Sequence, residues 1–126
     1  MSGSRTITLY RPVGAKELEL IAESKYLAFP PRLYFQPIFY PFMNEAHATQ
    51  IARDWNTEDE SSGYVGYVTK FEVRSDYLSK FEVQVVGAAD THQEYWIPAE
   101  ELAEFNKNIV GKIEVISIFV GEKAKQ

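Results

Sequence analysis

A chain of 126 residues, 45% hydrophobic and 25% charged, predicts one soluble globular domain over residues 1–126. Its net charge of −5 disfavours nonspecific binding to nucleic acid, which depends on neutralising phosphates, and its lack of cysteine excludes disulfides and thiolate metal sites. No stretch is apolar enough for a transmembrane helix and no signal peptide is recognised, so we expect a cytoplasmic protein without membrane contact.

The first half of the chain predicts two helices separated by a proline-rich stretch. Residues 6–10 alternate as a strand does, and Pro12 is expected to stop that strand. Apolar residues at helical spacing predict a first helix over residues 15–25. Residues 38–40 predict a short strand, and Asn44 is a suitable cap for the second helix. Ala48, Ile51, Ala52 and Trp55 are predicted to form one face of that helix.

The second half of the chain predicts a mostly antiparallel sheet. Its strands are predicted at residues 64–73, 81–86, 92–97 and 113–120, the last of them well buried. The acidic stretch 56–63 is predicted to be a mobile loop, and residues 121–126 a disordered tail. Pro98 suits the first turn of a short helix that ends near residue 106. The predicted class is therefore α+β, with two early helices, a mostly antiparallel sheet and a short helix after Pro98.

The strand predicted at residues 92–97 contains one carboxylate. Alternation puts His92, Glu94 and Trp96 on one face of this strand. Because a buried carboxylate is costly unless something pairs with it or uses it, Glu94 is a candidate for stabilising a sugar cation as a glycosidic bond breaks. The alternative is an exposed carboxylate on an edge strand. His92 and His47 are far apart and no third ligand has suitable spacing, so no metal site is expected.

Arg11 and the aromatic residues around Tyr40 are candidate ligand contacts. Arg11 follows a predicted strand, and a guanidinium held there suits phosphate or ribose oxygens. The alternative is a surface arginine that covers the sheet edge. Tyr40, with its neighbours Phe39 and Phe42, is placed either to stack on a planar ligand or to pack in the core.

Three segments, taken in chain order, resemble motifs of the ADP-ribosyltransferase superfamily. Leu9-Tyr10-Arg11 resembles the first-strand motif that holds NAD in that family. Ile38-Phe39-Tyr40, followed by the second helix, resembles the family's second motif. Residues 92–98 resemble its Glu/Gln-x-Glu motif, which is followed by an apolar run and a proline. The chain also resembles short uncharacterised bacterial proteins labelled "ADP-ribosylation/crystallin J1", which share the segments at residues 9–13 and 96–102.

The resemblance implies a small ADP-ribosyltransferase-like fold, with NAD as the substrate. Arg11, in the motif with Tyr10, would hold the diphosphate or the nicotinamide-side ribose. Tyr40, in the motif with Phe39, would stack against nicotinamide. Glu94 would bind the ribose hydroxyl and stabilise the oxocarbenium-like transition state as nicotinamide leaves.

The acceptor of ADP-ribose stays open, because His92 stands where the family often has the Glu or Gln that selects the acceptor. Two alternatives to an NAD-dependent enzyme also stay open. One is a non-catalytic module on the same fold that binds a nucleotide or a protein. The other is a structural protein whose tyrosine-rich surface forms a homodimer that buries Tyr40 and Trp96.

Overall fold

The computed structural model describes residues 5–86 and 93–125, which form an α+β fold whose strand pairs are antiparallel. The strands are β1 (Thr6–Val13), β2 (Ile38–Phe39), β3 (Val65–Arg74), β4 (Val83–Val85), β5 (Gln93–Tyr95), β6 (Ile97–Pro98) and β7 (Ile109–Val120). The helices are α1 (Ala15–Glu23), α2 (Glu45–Asp54), α3 (Ser75–Leu78) and α4 (Leu102–Lys107). Short 3₁₀ turns cover Asn56–Glu58, Glu60–Ser62, Ala99–Glu101 and Glu122–Lys125. The predicted α+β class, with two early helices and a short helix after Pro98, is confirmed.

Strand β3 lies at the centre of the main sheet, between β1 and β7. The prediction that β1 stops before Pro12 is wrong, because β1 pairs with β3 through Pro12 and Val13. The reason is the orientation of its backbone. Tyr10 exchanges both of its backbone hydrogen bonds with Phe42, on the edge away from β3. The nitrogen of Pro12, two residues further on, faces the same edge, so its missing N–H breaks no bond to β3.

A second ladder, formed by β2 with β6 and by Phe42 with β5, continues the sheet beyond β1. Phe42 forms bridges both to Tyr10 of β1 and to Glu94 of β5. All pairs of this ladder keep one antiparallel register, so Tyr40 lies opposite Trp96. Their rings meet edge to face, with centroids 6.3 Å apart. Strand β4 pairs with the other side of β5.

The two faces of the sheet carry separate apolar clusters. The larger cluster consists of Leu9, Val13, Ile21, Phe29, Phe39, Phe71, Val73, Tyr77, Leu78, Tyr95, Ile97, Leu102, Phe105 and Ile113. The smaller cluster, beneath α2, consists of Phe42, Ala48, Ala52 and Val68, with Tyr10 packed against it. Since neighbouring residues of a strand point to opposite faces, β1 sends Leu9 to the larger cluster and Tyr10 to the α2 face.

Helix α2 lies close against the sheet at Gly66. A Cβ at this position would overlap the carbonyl group of Ala52. The helix begins at the predicted cap, where the Asn44 side chain accepts a hydrogen bond from the backbone N–H of His47 at 3.1 Å. The cap thus sets where α2 begins, and the missing side chain allows the helix to lie close to β3.

The last strand, which was predicted to be well buried, is largely exposed, and so is one residue of the predicted α2 face. Strand β7 lies at the sheet edge, and Ile118 and Val120 keep 60% and 50% of their surface accessible. Its apolar composition does not distinguish an edge strand from a central one. Trp55 is 57% exposed because it falls at the C-cap of α2, beyond the last turn that faces the sheet.

The predicted mobile loop and disordered tail contain hydrogen-bonded turns. Asn56 and Ser62 are buried, and the Asn56 amide donates to the Ser62 hydroxyl at 2.8 Å. Gly121 is buried and donates its backbone N–H to the carbonyl of Tyr64 at 2.8 Å. The polar composition of these segments was misleading, because their polar groups satisfy one another's hydrogen bonds.

Candidate functional site

A cleft of about 900 Å³ lies where β1 ends and α1 begins. One wall is formed by α1 and the proline-rich segment 30–36, and another by the end of α2 and the turns after it. Tyr40, Phe42 and Glu94 of the second ladder form the third side. The volume is in the range of about 300–1,000 Å³ that is usual for small-molecule sites. Arg11, Tyr40 and Glu94, although far apart in sequence, line this one cleft.

Arg11 reaches the cleft already paired with Glu17 in the first turn of α1. Its Nε and Nη2 donate to the two carboxylate oxygens at 2.7 and 3.0 Å, and its Nη1 donates to the backbone carbonyl of Tyr40 at 3.2 Å. The guanidinium carbon lies 4.6 Å from the centroid of the Phe39 ring. Such a bidentate pair compensates the charge of a side chain that is only 10% exposed. Arg11 therefore ties β1 to α1, and a ligand anion would compete with Glu17 for it.

Glu94 is a buried carboxylate, with 7% of its surface accessible. The indole Nε1 of Trp96 donates to its Oε1 at 2.9 Å. The two side chains meet because residues two apart in a strand share a face, as the sequence predicted. The hydrogen bond fixes one carboxylate oxygen and leaves the carboxylate at the wall of the cleft.

Arg11 and Glu94 approach the cleft from opposite faces of the sheet. Glu94 lies opposite Phe42, and Phe42 lies opposite Tyr10, so these three side chains share the α2 face. Arg11 follows Tyr10 in β1 and points to the other face, where it covers the Phe39 ring. A ligand that contacts both charged groups would therefore span the sheet edge.

Tyr40 forms the rim of the cleft at that edge. Its side chain is 36% exposed, and its ring meets that of Trp96, which is 43% exposed. Its backbone carbonyl accepts from Arg11. Tyr40 thus combines an accessible aromatic face with a backbone fixed by the arginine, which suits stacking on a planar ligand.

Two predicted contact residues lie elsewhere, and a third is outside the described residues. Phe39 is 1% exposed and packs in the larger cluster, so its ring supports Arg11 and has no surface to offer a ligand. Tyr10 is half-buried against the α2 cluster and does not line the cleft. His92 lies outside the described residues. The other histidine, His47, is buried and stacks on Phe42 with ring centroids 4.1 Å apart.

A polar network forms the wall beyond α2, and sequence reasoning missed it. The Asn56 amide donates to the hydroxyl of Ser62, which in turn donates to the carboxylate of Asp59 at 2.7 Å. Ser61 donates to the same carboxylate oxygen at 2.7 Å. These two hydroxyl donors hold the pKa of Asp59 below its ordinary value. The wall therefore presents an ionised, oriented acid near neutral pH.

Glu17 and Arg32 are also cleft residues that the sequence did not single out. Glu17 follows Arg11 by six residues across a strand–helix turn, and its place in the first helical turn was the available signal. Arg32 had no such signal, because it lies in a segment without regular structure. Its role depends on which groups surround it.

Comparison with known proteins found no match to a family model, a curated protein or a solved structure. Among the described residues, no helix combines the length and apolar character needed to cross a membrane. Within the same part of the chain, no three His, Asp or Glu side chains cluster in a way that would hold a metal ion.

Proposed function

We propose that this chain binds NAD in the cleft and cleaves the bond between nicotinamide and ribose, as the resemblance to ADP-ribosyltransferases implies. The observation that supports the proposal is that Arg11, Tyr40 and Glu94 line one cleft of about 900 Å³. Each of these residues belongs to a different one of the three motifs. The cleft thus joins a cation, an exposed ring and a buried carboxylate, which are the groups that a nucleotide with a scissile glycosidic bond requires.

The reaction requires positioning and charge more than covalent chemistry. The C–N bond breaks with its electron pair leaving on nicotinamide, and positive charge develops on the ribose. A fixed carboxylate favours this transition state over the ground state. Glu94 is suited to the role because it is buried and because Trp96 holds one of its oxygens. Water, or a nucleophile of an acceptor, then bonds to the ribose carbon and releases its proton.

Nicotinamide, in this proposal, lies against the ring of Tyr40. The ring is accessible on the face that carries Glu94, opposite Trp96, while the Tyr40 carbonyl accepts a hydrogen bond from Arg11. A ligand that contacts both charged groups must reach both faces, as an extended dinucleotide can. The separation of the two charged groups thus favours an extended ligand.

A non-catalytic nucleotide-binding module is the second candidate. It is favoured by the pairing of Arg11, whose guanidinium is engaged by Glu17 and by the Tyr40 carbonyl. In such a module the cleft would bind the nucleotide without cleaving it.

The test is release of nicotinamide from NAD by the purified protein, measured by chromatography, beside the thermal shift that NAD causes. We expect Glu94→Gln to lower the release rate at least a hundredfold, which corresponds to about 2.7 kcal/mol of transition-state stabilisation. The melting temperature and the NAD-induced shift should stay near those of the wild type. Glu100→Gln is the matched control, because Glu100 is an exposed carboxylate in the turn that follows β6.

A wild-type protein that is stabilised by NAD but releases no nicotinamide would support the binding module. A wild-type protein that shows neither effect would contradict both candidates. Equal release by the Glu94→Gln variant and the wild type would remove Glu94 from the reaction while leaving NAD binding in place.

A further inference from the structure

Arg32 is a half-buried cation of the proline-rich segment 30–36 in the wall of the cleft. Its guanidinium lies 5.8 Å from the centroid of the same Phe39 ring that Arg11 covers. Its Nε is buried and has no hydrogen-bond partner within the described residues. In the same part of the chain, no carboxylate forms an ion pair with it.

The charges around Phe39 do not balance at this end of the cleft. Arg11 and Arg32 bring two positive charges to one ring, and Glu17 provides one carboxylate, both oxygens of which already bond to Arg11. Burial lowers the pKa of Arg32 below its ordinary value and the charge of Arg11 lowers it further, while Glu17 and Tyr40 act in the opposite direction without restoring it. Within the described residues, Arg32 is therefore a cation of the cleft wall without an ion pair of its own, in a protein whose net charge is −5.

We infer that Arg32 is the anion-binding residue of the cleft and that its ligand group is a phosphate or diphosphate. A guanidinium offers five donors in a planar fork, which matches two oxygens of a phosphate. Arg11 contributes its charge to this subsite while its own donors stay with Glu17 and the Tyr40 carbonyl. An anion placed here would compensate the charge that the fold leaves unbalanced.

The inference deepens the proposed function and rests on it for the identity of the ligand. It transfers the binding of the diphosphate, which the resemblance assigns to Arg11, to Arg32 in the proline-rich wall. Pro30 and Pro31 restrict the backbone just before Arg32, so the side chain is presented from a stiff segment. A site that is already rigid loses little entropy when the anion binds.

The test is titration calorimetry with inorganic pyrophosphate, with NAD and with nicotinamide riboside, which lacks phosphate. For the wild type, we expect pyrophosphate and NAD to bind and nicotinamide riboside to bind at least tenfold more weakly than NAD. Arg32→Gln should raise the Kd for pyrophosphate and for NAD at least tenfold, which corresponds to about 1.4 kcal/mol. The Kd values of Arg32→Lys should lie between those of the wild type and those of Arg32→Gln, because lysine keeps the positive charge but lacks the planar fork of donors. Arg53→Gln, which removes an exposed arginine paired with Asp54 on α2, should change either Kd less than twofold.

Unchanged affinities in Arg32→Gln would overturn the inference and leave NAD binding intact. Pyrophosphate binding that depends on Arg32, without NAD binding, would support the inference, overturn the proposed function and indicate a different phosphate ligand. Failure of the wild type to bind pyrophosphate and NAD alike would overturn both. The melting temperature of each variant shows whether a lost affinity reflects lost folding.

Discussion

Arg11 and Arg32 cover one phenylalanine ring, at 4.6 and 5.8 Å from its centroid, yet the protein treats the two cations in opposite ways. Arg11 is engaged by the fold itself, since Glu17 accepts two of its hydrogen bonds and a backbone carbonyl accepts a third. In the proline-rich region around Arg32, the described residues supply no hydrogen bond to its Nε. An arginine in a motif position can therefore be engaged by the fold itself, while an arginine outside any motif keeps a buried donor without a partner among the described residues. A charged side chain whose hydrogen bonds are made within the fold contributes to the structure before it can contribute to binding.

The largest expected effect comes from removing the Glu17 carboxylate that pairs with Arg11. Glu17→Ala removes the carboxylate from a pair whose side chains are 10% and 21% exposed, and it leaves a buried cation without compensation. We expect the free energy of unfolding to fall by about 3–5 kcal/mol. Urea denaturation measures it.

Glu19→Ala is the control on the same helix, because Glu19 forms an exposed pair with Lys16 at 3.7 Å. Its expected cost is below about 0.5 kcal/mol. Equal costs for the two variants would contradict the structural role of the Arg11 pair.

A smaller effect is expected at the buried carboxylate on the other face of the sheet. Trp96→Phe keeps most of the ring but removes the N–H that Glu94 accepts. We expect a loss of about 1–2 kcal/mol in unfolding free energy, because one oxygen of a buried acid loses a donor. Thermal and urea unfolding measure the loss.

Trp55→Phe serves as the comparison at an exposed tryptophan, and its stability should stay within about 0.5 kcal/mol of the wild type. If the proposed function is right, Trp96→Phe also lowers the rate of nicotinamide release more than it alters the affinity for NAD. A change in affinity alone would argue that Trp96 does not position Glu94.

The smallest expected effect concerns the polar wall beyond α2 and depends on pH. Ser62→Ala removes one of the donors that lower the pKa of Asp59, at an expected cost of about 1 kcal/mol near neutral pH. A depressed pKa stabilises the fold above the ordinary value of about 4, and this stability is lost as the pH falls through the depressed value. The difference between wild type and Ser62→Ala should therefore shrink between pH 6 and the region below about pH 3.

Ser79→Ala is a control without an acidic partner, because the Ser79 hydroxyl donates to the backbone carbonyl of Asp76. Its effect on unfolding should not change over the same acid range. If the difference in unfolding free energy between the wild type and Ser62→Ala stays constant with pH, the Ser62 hydroxyl does not stabilise the ionised form of Asp59.

Local patterns predicted those elements whose residues decide their own conformation. The Asn44 cap, the helical spacing in α1 and the alternation around Glu94 are properties of neighbouring residues, and the structure confirms them. The exposure of β7 was not predictable in this way, because it depends on which strands and helices lie beside it. Pro12 was misjudged for the same reason: its effect depends on the edge that its nitrogen faces.

The same distinction between local pattern and tertiary arrangement applies to the candidate site. The sequence identified Arg11, Tyr40 and Glu94, and the structure brings them to one cleft. The sequence could not predict that Glu17 pairs with Arg11 or that the Nε of Arg32 has no hydrogen-bond partner among the described residues. Both depend on how α1 and the proline-rich segment are placed around Phe39. Residue types and spacing suggest which groups can bind a ligand, whereas tertiary pairing decides which of them remain available.

Gly66 is buried and does not line the cleft, yet it affects the shape of the cleft through α2. Because the carbonyl of Ala52 occupies the space where a side chain would start, any larger residue there must push α2 outward. The end of that helix carries Trp55 and leads into Asn56, both of which line the cleft. The width of the cleft therefore depends on this buried glycine as well as on the lining residues. A substitution at position 66 would therefore change the cleft by moving Trp55 and Asn56, although residue 66 is not part of its lining.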